Sequence, residues 1–281
     1  MTARRSFAER LSARQAETGS LVCIGLDPDL QRLPPHLARE KNAAQAVIAF
    51  NRAIIEATAD TVAAYKLNLA FFEALGAENW SVLQATLDAI PEDVPVIADG
   101  KRGDIGNSAR FYAHTCFDLL GFDACTVSGY MGKDSVAPFL DHPGRGVFLL
   151  ARTSNPGGSD FQAIECQGSP LYEHVVRTAL EWEKAGNDRA KGSLGFVVGA
   201  SDIEALHRIR TLAPDSPLLI PGVGAQGGSS NDVLKALREG SGPVLVNSSR
   251  AILYASTGRD FDRAARQAAE TLRTSLASAL S

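Results

Sequence analysis

Three charged residues of alternating sign, Asp99, Lys101 and Asp104, lie within six positions of one another. A second lysine, Lys66, lies within an earlier apolar segment, and a further carboxylate, Asp27, follows the end of another. A lysine ammonium held among carboxylates is a preorganised source of positive potential, which stabilises negative charge that develops in a transition state. Adjacent carboxylates also favour the charged form of the lysine. These residue types therefore predict a site that acts on a developing anion.

Lys66 lies in an otherwise apolar run, Ala63–Leu69, of the kind that is buried in a parallel barrel. Lys66 and Asn68 are two residues apart, so their side chains share one face of the strand. An unpaired lysine on a buried strand would be costly, and the nearby carboxylates offer it partners. Taken singly, a strand-end aspartate is as often a helix cap or a turn residue as a catalytic group. The cluster as a whole favours the functional interpretation.

Short β-type runs alternate with longer helical patterns along the chain, and this alternation must position the charged residues. The strand candidates are Leu21–Leu26, Ala63–Leu69, Val94–Ala98, Ala124–Val127, Gly146–Ala151, Gly195–Val198, Leu218–Pro221 and Val244–Asn247. Eight strand-then-helix units over this length predict an α/β fold of the (β/α)8 TIM-barrel class rather than an open doubly wound sheet. The active site of such a barrel lies at the C-terminal ends of the strands, where the charged residues fall.

No interior Pro-, Gly- or Ser-rich linker divides the chain, so we expect a single barrel domain over residues 1–281. Residues 1–20 are expected to form a leading helix that closes the bottom of the barrel. Residues 155–170, which contain Pro156, Gly157, Gly158 and Gly168, predict an extended loop after strand five. A loop at the catalytic face acts either as a lid or as a surface excursion, and the sequence leaves both interpretations open.

Composition restricts the classes of partner. The net charge of −4 and the pI of about 5.8 provide no broad electrostatic footprint for nucleic acid or an anionic membrane, so an anionic substrate must be caught by a local pocket. We expect the four cysteines to be buried thiols in a reducing compartment, since they show no metal-ligand or disulfide spacing: Cys23, Cys116, Cys125 and Cys166. The N-terminal segment lacks the apolar core of a secretory signal, which predicts a cytoplasmic protein.

Two segments at the ends of strands seven and eight, Pro221–Gly228 and Asn247–Arg250, lie where many barrels bind phosphate. Glycines let backbone N–H groups approach phosphate oxygens closely, and Arg250 can supply a charged fork. A tight turn alone would also explain the glycines. The position in the barrel and the following arginine favour a phosphate site, without identifying the phosphorylated compound.

The segment Asp99–Ile105 closely resembles the Asp-x-Lys-x-x-Asp-Ile signature of orotidine 5'-phosphate decarboxylases. Other segments that fall in the family's order are Gly25–Pro28, Lys66–Asn68, Thr153–Gly157, Pro221–Gly228 and the segment around Arg250. The length and the long segment after strand five resemble the larger bacterial branch. The resemblance implies a cofactor-free carboxy-lyase that makes uridine 5'-phosphate in de novo pyrimidine biosynthesis. It also implies a homodimer with shared active sites.

The same resemblance implies a role for each matching residue. Lys101 would stabilise the carbanion at C6 of the orotate ring and then protonate it, while Asp99 and Asp104 keep Lys101 charged and in position. The implied substrate contacts are Gln226 and Arg250 to the 5'-phosphate, Asp27 and Lys66 to the ribose hydroxyls, and Ser154 to the pyrimidine edge. Asp104 and Ser108 would reach into the neighbouring subunit's site, with Asn107 as the alternative to Ser108.

Two other functions stay open. A metal-dependent lyase, aldolase or epimerase acting on a sugar phosphate could reuse the Asp-x-Lys-x-x-Asp cluster with a divalent cation. A non-enzymatic barrel could sense pyrimidine phosphates. The segments around Ser154 and Gln226 argue against the first, and the intact set of lysines and carboxylates argues against the second. No metal site is predicted, because the histidines fall on helices or loops away from the strand ends: His36, His114, His142, His174 and His207.

Overall fold

The computed structural model describes residues 5–40, 42–184, 192–223 and 229–280. Eight parallel strands close into a barrel in sequential order, and the last strand pairs with the first. The strands are β1 Val22–Gly25, β2 Ala64–Asn68, β3 Val96–Arg102, β4 Ala124–Val127, β5 Gly146–Arg152, β6 Ser193–Val198, β7 Leu218–Pro221 and β8 Val244–Ser248. This arrangement confirms the predicted (β/α)8 barrel.

Helices connect the strands and cover the outside of the barrel. They are α1 Phe7–Thr18, α2 Pro35–Glu40, α3 Ala43–Thr58, α4 Leu69–Glu73, α5 Asn79–Leu87, α6 Gly106–His114, α7 Lys133–Leu140, α8 Leu171–Lys184, α9 Ile203–Leu212, α10 Ser230–Ala236, α11 Arg250–Leu253 and α12 Phe261–Leu280. A π-helical turn at Thr115–Leu119 extends α6. No helix in the described ranges combines the length and the apolar character needed to cross a membrane.

Helix α1 packs against the N-terminal ends of the strands. Ser6 and Glu9 form a reciprocal capping box that starts the helix, and Gly19 ends it in the left-handed conformation. Phe7 enters the barrel interior and meets the Phe148 ring edge to face, with the ring centroids 5.7 Å apart. Gly146 leaves room for this contact, since a Cβ there would lie 2.5 Å from the Phe7 ring.

Strand β3 is longer than its apolar run predicts, because it continues to Arg102 instead of ending at Ala98. Asn68 of β2 pairs with Asp99, and Arg102 pairs with Val127 of β4, with an irregular register between Ala98 and Arg102. The charged segment is therefore part of the sheet. The bulge changes the direction of the strand next to the candidate site.

The segment 155–170 carries structure of its own. It contains a 3-10 turn at Pro156–Asp160 and a short hairpin that pairs Glu165–Cys166 with Ser169–Pro170. Cys23, Cys116 and Cys125 are buried, but Cys166 is exposed on the hairpin. The prediction of a buried thiol is wrong for Cys166, because this hairpin lies at the surface, with one strand exposed and the other half-buried.

Candidate active site

A buried carboxylate, Asp99, lies between two lysines at the C-terminal end of the barrel. Its Oδ2 accepts a hydrogen bond from Lys66 Nζ at 2.8 Å, and its Oδ1 accepts one from Lys101 Nζ at 2.7 Å. The Lys66 side chain is 6% exposed, whereas that of Lys101 is 48% exposed. Lys66 therefore belongs to the floor of the site, and Lys101 is the lysine that a ligand can reach.

Mutual pairing keeps this cluster charged. Burial alone would raise the pKa of Asp99, but the charges of Lys66 and Lys101 more than offset burial and lower that pKa to about 2. Burial also opposes the charge of Lys66. The carboxylates of Asp27 and Asp99 more than offset it and hold the pKa of Lys66 above its ordinary value. At neutral pH the buried pair is therefore an ion pair, and Asp99 is a fixed negative charge beside Lys101.

Thr126, on the neighbouring strand β4, holds the cluster in place through two hydrogen bonds. Its hydroxyl donates to Asp99 Oδ1 at 2.9 Å and accepts from the backbone N–H of Lys101 at 2.9 Å. Lys101 adopts a φ of 44°, in the left-handed region that non-glycine residues rarely occupy. Such a conformation persists only where its surroundings fix it, and the bond from Thr126 does so.

Asp27 is the second carboxylate near Lys66. Its Oδ1 lies 3.8 Å from Lys66 Nζ and accepts a hydrogen bond from the backbone N–H of Asn68 at 3.2 Å. The hydroxyl of Tyr254 donates to the backbone carbonyl of Asp27 at 3.2 Å and accepts from the N–H of Asp29 at 2.6 Å. These contacts fix the loop after β1 from two sides.

A cavity of about 470 Å³ opens over the cluster. Its polar lining includes Asp27, Lys66, Asn68, Asp99, Lys101, Thr126, Thr153, Ser154, Asn155 and Asn247, and its apolar lining is Leu150, Val197, Leu219 and Pro221. Convergent polar groups together with apolar side chains are typical of a site that binds and orients a small molecule.

A smaller cavity of about 240 Å³ adjoins the first, and both are lined by Asp27, Ser154, Pro221 and Asn247. Arg250 lines this second cavity at the start of α11. Gly25 allows β1 and the end of β8 to approach closely here, since a Cβ on Gly25 would collide with Ser249. The two cavities together offer a cation at one end and the lysine–carboxylate cluster at the other.

Close packing after β5 fixes the position of Ser154. A Cβ on Gly199 would lie 2.7 Å from the Ser154 backbone nitrogen, so only glycine fits opposite it. Gln162 Oε1 accepts a hydrogen bond from the N–H of Thr153 at 2.9 Å, which ties the segment 155–170 to the strand end. Arg152 is paired with Asp202 at 3.0 Å.

The structure thus brings six of the predicted site residues to these cavities: Asp27, Lys66, Asp99, Lys101, Ser154 and Arg250. It does not bring Asp104 to the cluster. The Asp104 carboxylate accepts from the N–H of Ile105 at 2.8 Å, and within the described chain no hydrogen bond or ion pair joins it to either lysine. Ser108 is exposed on α6 and lines neither cavity. Gln226 lies outside the described residues.

Thr126 and Tyr254 were not predicted as site residues from the sequence, and Asn247 was predicted only as the start of a segment that lies where barrels bind phosphate. Thr126 carries a usable signal, because a polar residue at the end of an apolar strand lies where the barrel opens. Asn247 follows three apolar residues on β8 in the same way. Tyr254 carries no such signal, because its contact with Asp27 joins residues 227 positions apart.

Comparison with known proteins links this site to one family. Residues 20–266 match the model of the orotidine 5'-phosphate decarboxylase / HUMPS family. The orotidine 5'-phosphate decarboxylase of Delftia acidovorans is 46% identical over 276 residues, which cover 96% of this chain and 98% of that protein. That of Herpetosiphon aurantiacus is 46% identical over 266 residues, which cover 94% and 95%. The solved OMP decarboxylase of Leishmania donovani is 36% identical, with a TM-score of 0.78 over 96% of this chain and 99% of that one.

Proposed function

The chain belongs to the orotidine 5'-phosphate decarboxylase / HUMPS family, and on that premise we propose that it is a carboxy-lyase that converts orotidine 5'-phosphate to uridine 5'-phosphate and carbon dioxide. One observation carries the proposal. Asp99 pairs with a buried lysine, Lys66, and with a reachable lysine, Lys101, on the wall of a cavity of about 470 Å³. The product, uridine 5'-phosphate, belongs to UMP biosynthesis. We also infer that the enzyme is cytoplasmic.

The two adjoining cavities support one orientation of the substrate. The 5'-phosphate lies toward Arg250, which carries the positive charge of the smaller cavity, and the orotate ring lies toward Lys101. Asp27 and Lys66 are placed to receive ribose hydroxyls, and Ser154 to receive the pyrimidine edge. Gln226 is proposed as the second phosphate ligand on the basis of the resemblance alone.

The proposed reaction requires no group beyond the side chains of this protein. The bond between C6 and the carboxylate breaks, carbon dioxide leaves, and the electron pair remains on C6 in the plane of the ring. The Lys101 ammonium stabilises this pair and donates a proton to C6. The neutral amine then regains a proton from water.

Asp99 contributes to this step by holding Lys101 in place. The hydrogen bond orients the Lys101 ammonium before the substrate arrives, so that the electrostatic stabilisation costs no reorganisation during the reaction. At about 4 Å and an effective dielectric constant near 20, one ion contact is worth about 4 kcal/mol, so several contacts must combine. Remote binding of the phosphate near Arg250 supplies energy that holds the ring against the charged cluster.

The decisive experiment follows the absorbance of orotidine 5'-phosphate with purified protein in the presence of EDTA. We expect full turnover to uridine 5'-phosphate with the chelator present. Lys101→Ala should lower kcat by at least about a hundredfold, since one preorganised charge contributes on the order of 3 to 4 kcal/mol. Lys133→Ala, which removes an exposed lysine at the start of α7, is the matched control and should leave kcat unchanged. Loss of activity with EDTA and recovery with a divalent cation would point to the metal-dependent lyases instead.

We further propose that the active enzyme is a homodimer in which Asp104 and Ser108 act in the partner's site. The support is that Asp104 contacts neither lysine of its own chain. Large apolar side chains also stay exposed after the adjacent strands β3 and β4, as a surface for a second copy requires: Ile105, Phe111, Tyr130 and Met131.

Subunit mixing tests the shared site. Lys101→Ala and Asp104→Ala homodimers should each be nearly inactive. In a mixed dimer one site carries both lesions, and the other combines an intact Lys101 with an intact Asp104. Random exchange makes about half of the dimers mixed, so activity should recover toward a quarter of the wild-type value. Proven exchange without recovery would place Asp104 in the same chain's site as Lys101.

A further inference from the structure

Asn247 is a buried polar residue to which the proposed reaction assigns no role. It lies on β8 with 8% of its surface exposed. Leu245, two residues earlier, packs in the interior of the barrel, while Val246 packs in the outer core. Because strand side chains alternate between faces, Asn247 points into the barrel above Leu245. It lines both the larger and the smaller cavity.

The side-chain oxygen of Asn247 has no hydrogen-bond partner among the described residues, although it is fully shielded from solvent. The two strand neighbours in register are Pro221 on β7 and Cys23 on β1. Pro221 has no donor. Burial is the main cause that raises the pKa of Cys23 to about 12, so this thiol stays neutral, and no hydrogen bond joins it to Asn247. Buried polar atoms are almost always paired, so an unpaired carboxamide oxygen on a residue that lines two cavities indicates a ligand contact.

The position of Asn247 indicates which part of a ligand it meets. It is one of the few residues that line both cavities, and so lies between Arg250 in one and Lys101 in the other. In a nucleotide, the ribose lies between the phosphate and the base. A ribose hydroxyl is both a donor and an acceptor, so it can satisfy either end of the Asn247 carboxamide.

We propose that Asn247 is a substrate-binding residue that hydrogen-bonds one ribose hydroxyl and discriminates against substrates that lack that hydroxyl. This inference rests on the proposed function. Asp27 and Lys66 approach the same region from β1 and β2, and Asn247 approaches it from β8. The carboxamide is neutral, so it adds a directional contact without altering the charge of the cluster.

The test measures kcat/KM on orotidine 5'-phosphate and on its 2'-deoxy and 3'-deoxy forms, for wild type, Asn247→Ala and Asn247→Leu. Leucine has the same branched skeleton of four side-chain heavy atoms as asparagine, so the second variant avoids an empty cavity if the first does not fold. With the full substrate we expect both variants to lose about ten- to a hundredfold. With the analogue that lacks the contacted hydroxyl, the loss should shrink to about threefold or less, because the wild type has already lost that contact.

Cys23→Ala is the matched control, since it truncates the buried neighbour in register without touching either cavity. It should change all three substrates by the same factor. Equal losses on the three substrates for the Asn247 variants, or no loss on the full substrate, would overturn the inference while leaving the proposed function intact. A wild-type protein that does not turn over orotidine 5'-phosphate would overturn both.

Discussion

Replacing Asp99 by asparagine should destabilise the fold measurably as well as impair the site. The variant keeps the shape of the side chain but removes the negative charge that pairs with Lys66. In the folded protein the pKa of Asp99 is about 2, against an ordinary value of 3.8. Each unit of difference between the folded and the ordinary pKa corresponds to about 1.36 kcal/mol. The ionised carboxylate therefore contributes about 2 to 3 kcal/mol to the free energy of unfolding at neutral pH.

The dependence of this contribution on pH has a definite sign. The pKa of Asp99 is depressed in the folded state, so its stabilisation is fully present above the ordinary value of 3.8 and disappears as the pH falls through about 2. The difference between wild type and Asp99→Asn should therefore be constant from pH 7 to pH 5. It should then shrink between about pH 4 and pH 2.

Urea denaturation monitored by circular dichroism measures this difference at each pH, with the slope m used to check that both proteins unfold alike. Asp160→Asn is the control, since it removes an exposed carboxylate at the end of the 3-10 turn, and we expect a change below about 0.5 kcal/mol. An unfolding free energy that Asp99→Asn leaves unchanged at pH 7 would refute the reasoning. A difference that persists undiminished at pH 2 would also do so.

Three further predictions concern the site. Arg250→Ala should lower kcat/KM on orotidine 5'-phosphate by about ten- to a hundredfold and leave kcat/KM on orotidine nearly unchanged, because orotidine has no phosphate to contact the guanidinium; equal losses would move the phosphate site elsewhere. For Thr126→Val, the fold decrease in kcat should exceed the fold change in KM by about tenfold. Thr126→Ser should restore kcat, because serine keeps both hydrogen bonds; identical kinetics for both variants would contradict this. Gly199→Ala should displace Ser154 and lower kcat/KM about tenfold, whereas Gly157→Ala, whose Cβ meets nothing closer than 3.5 Å, should retain wild-type kinetics.

The barrel and the location of the chemistry could be predicted from the chain alone. Apolar runs and helical patterns alternate eight times along the chain. A closed parallel sheet surrounded by helices buries all eight apolar runs. Parallel strands present their C-terminal ends at one face of the barrel. Charged residues at or beyond the midpoints of separate strands, such as Lys66 and Asp99, must therefore lie near one another. Local patterning was sufficient for these conclusions because they depend on periodicity and chain direction.

Only the tertiary structure decided the pairing within that face. The register that sets Asn68 opposite Asp99 fixes which carboxylate Lys66 meets, and Lys101, which lies in the irregular part of β3 with a φ of 44°, pairs with Asp99. Register and rotamer depend on packing between strands that are remote in the sequence, so no local pattern records them.

The same dependence on neighbours that are remote in the sequence explains why the roles of three residues could not be predicted. Thr126 bridges two strands, Tyr254 reaches across 227 positions to the backbone of Asp27, and the unpaired oxygen of Asn247 becomes apparent only when both its neighbours are known. The chain alone determined the residue types and their order around the barrel. Folding decided which of those groups are satisfied by one another and which remain available to a substrate, because hydrogen bonds are completed by three-dimensional neighbours.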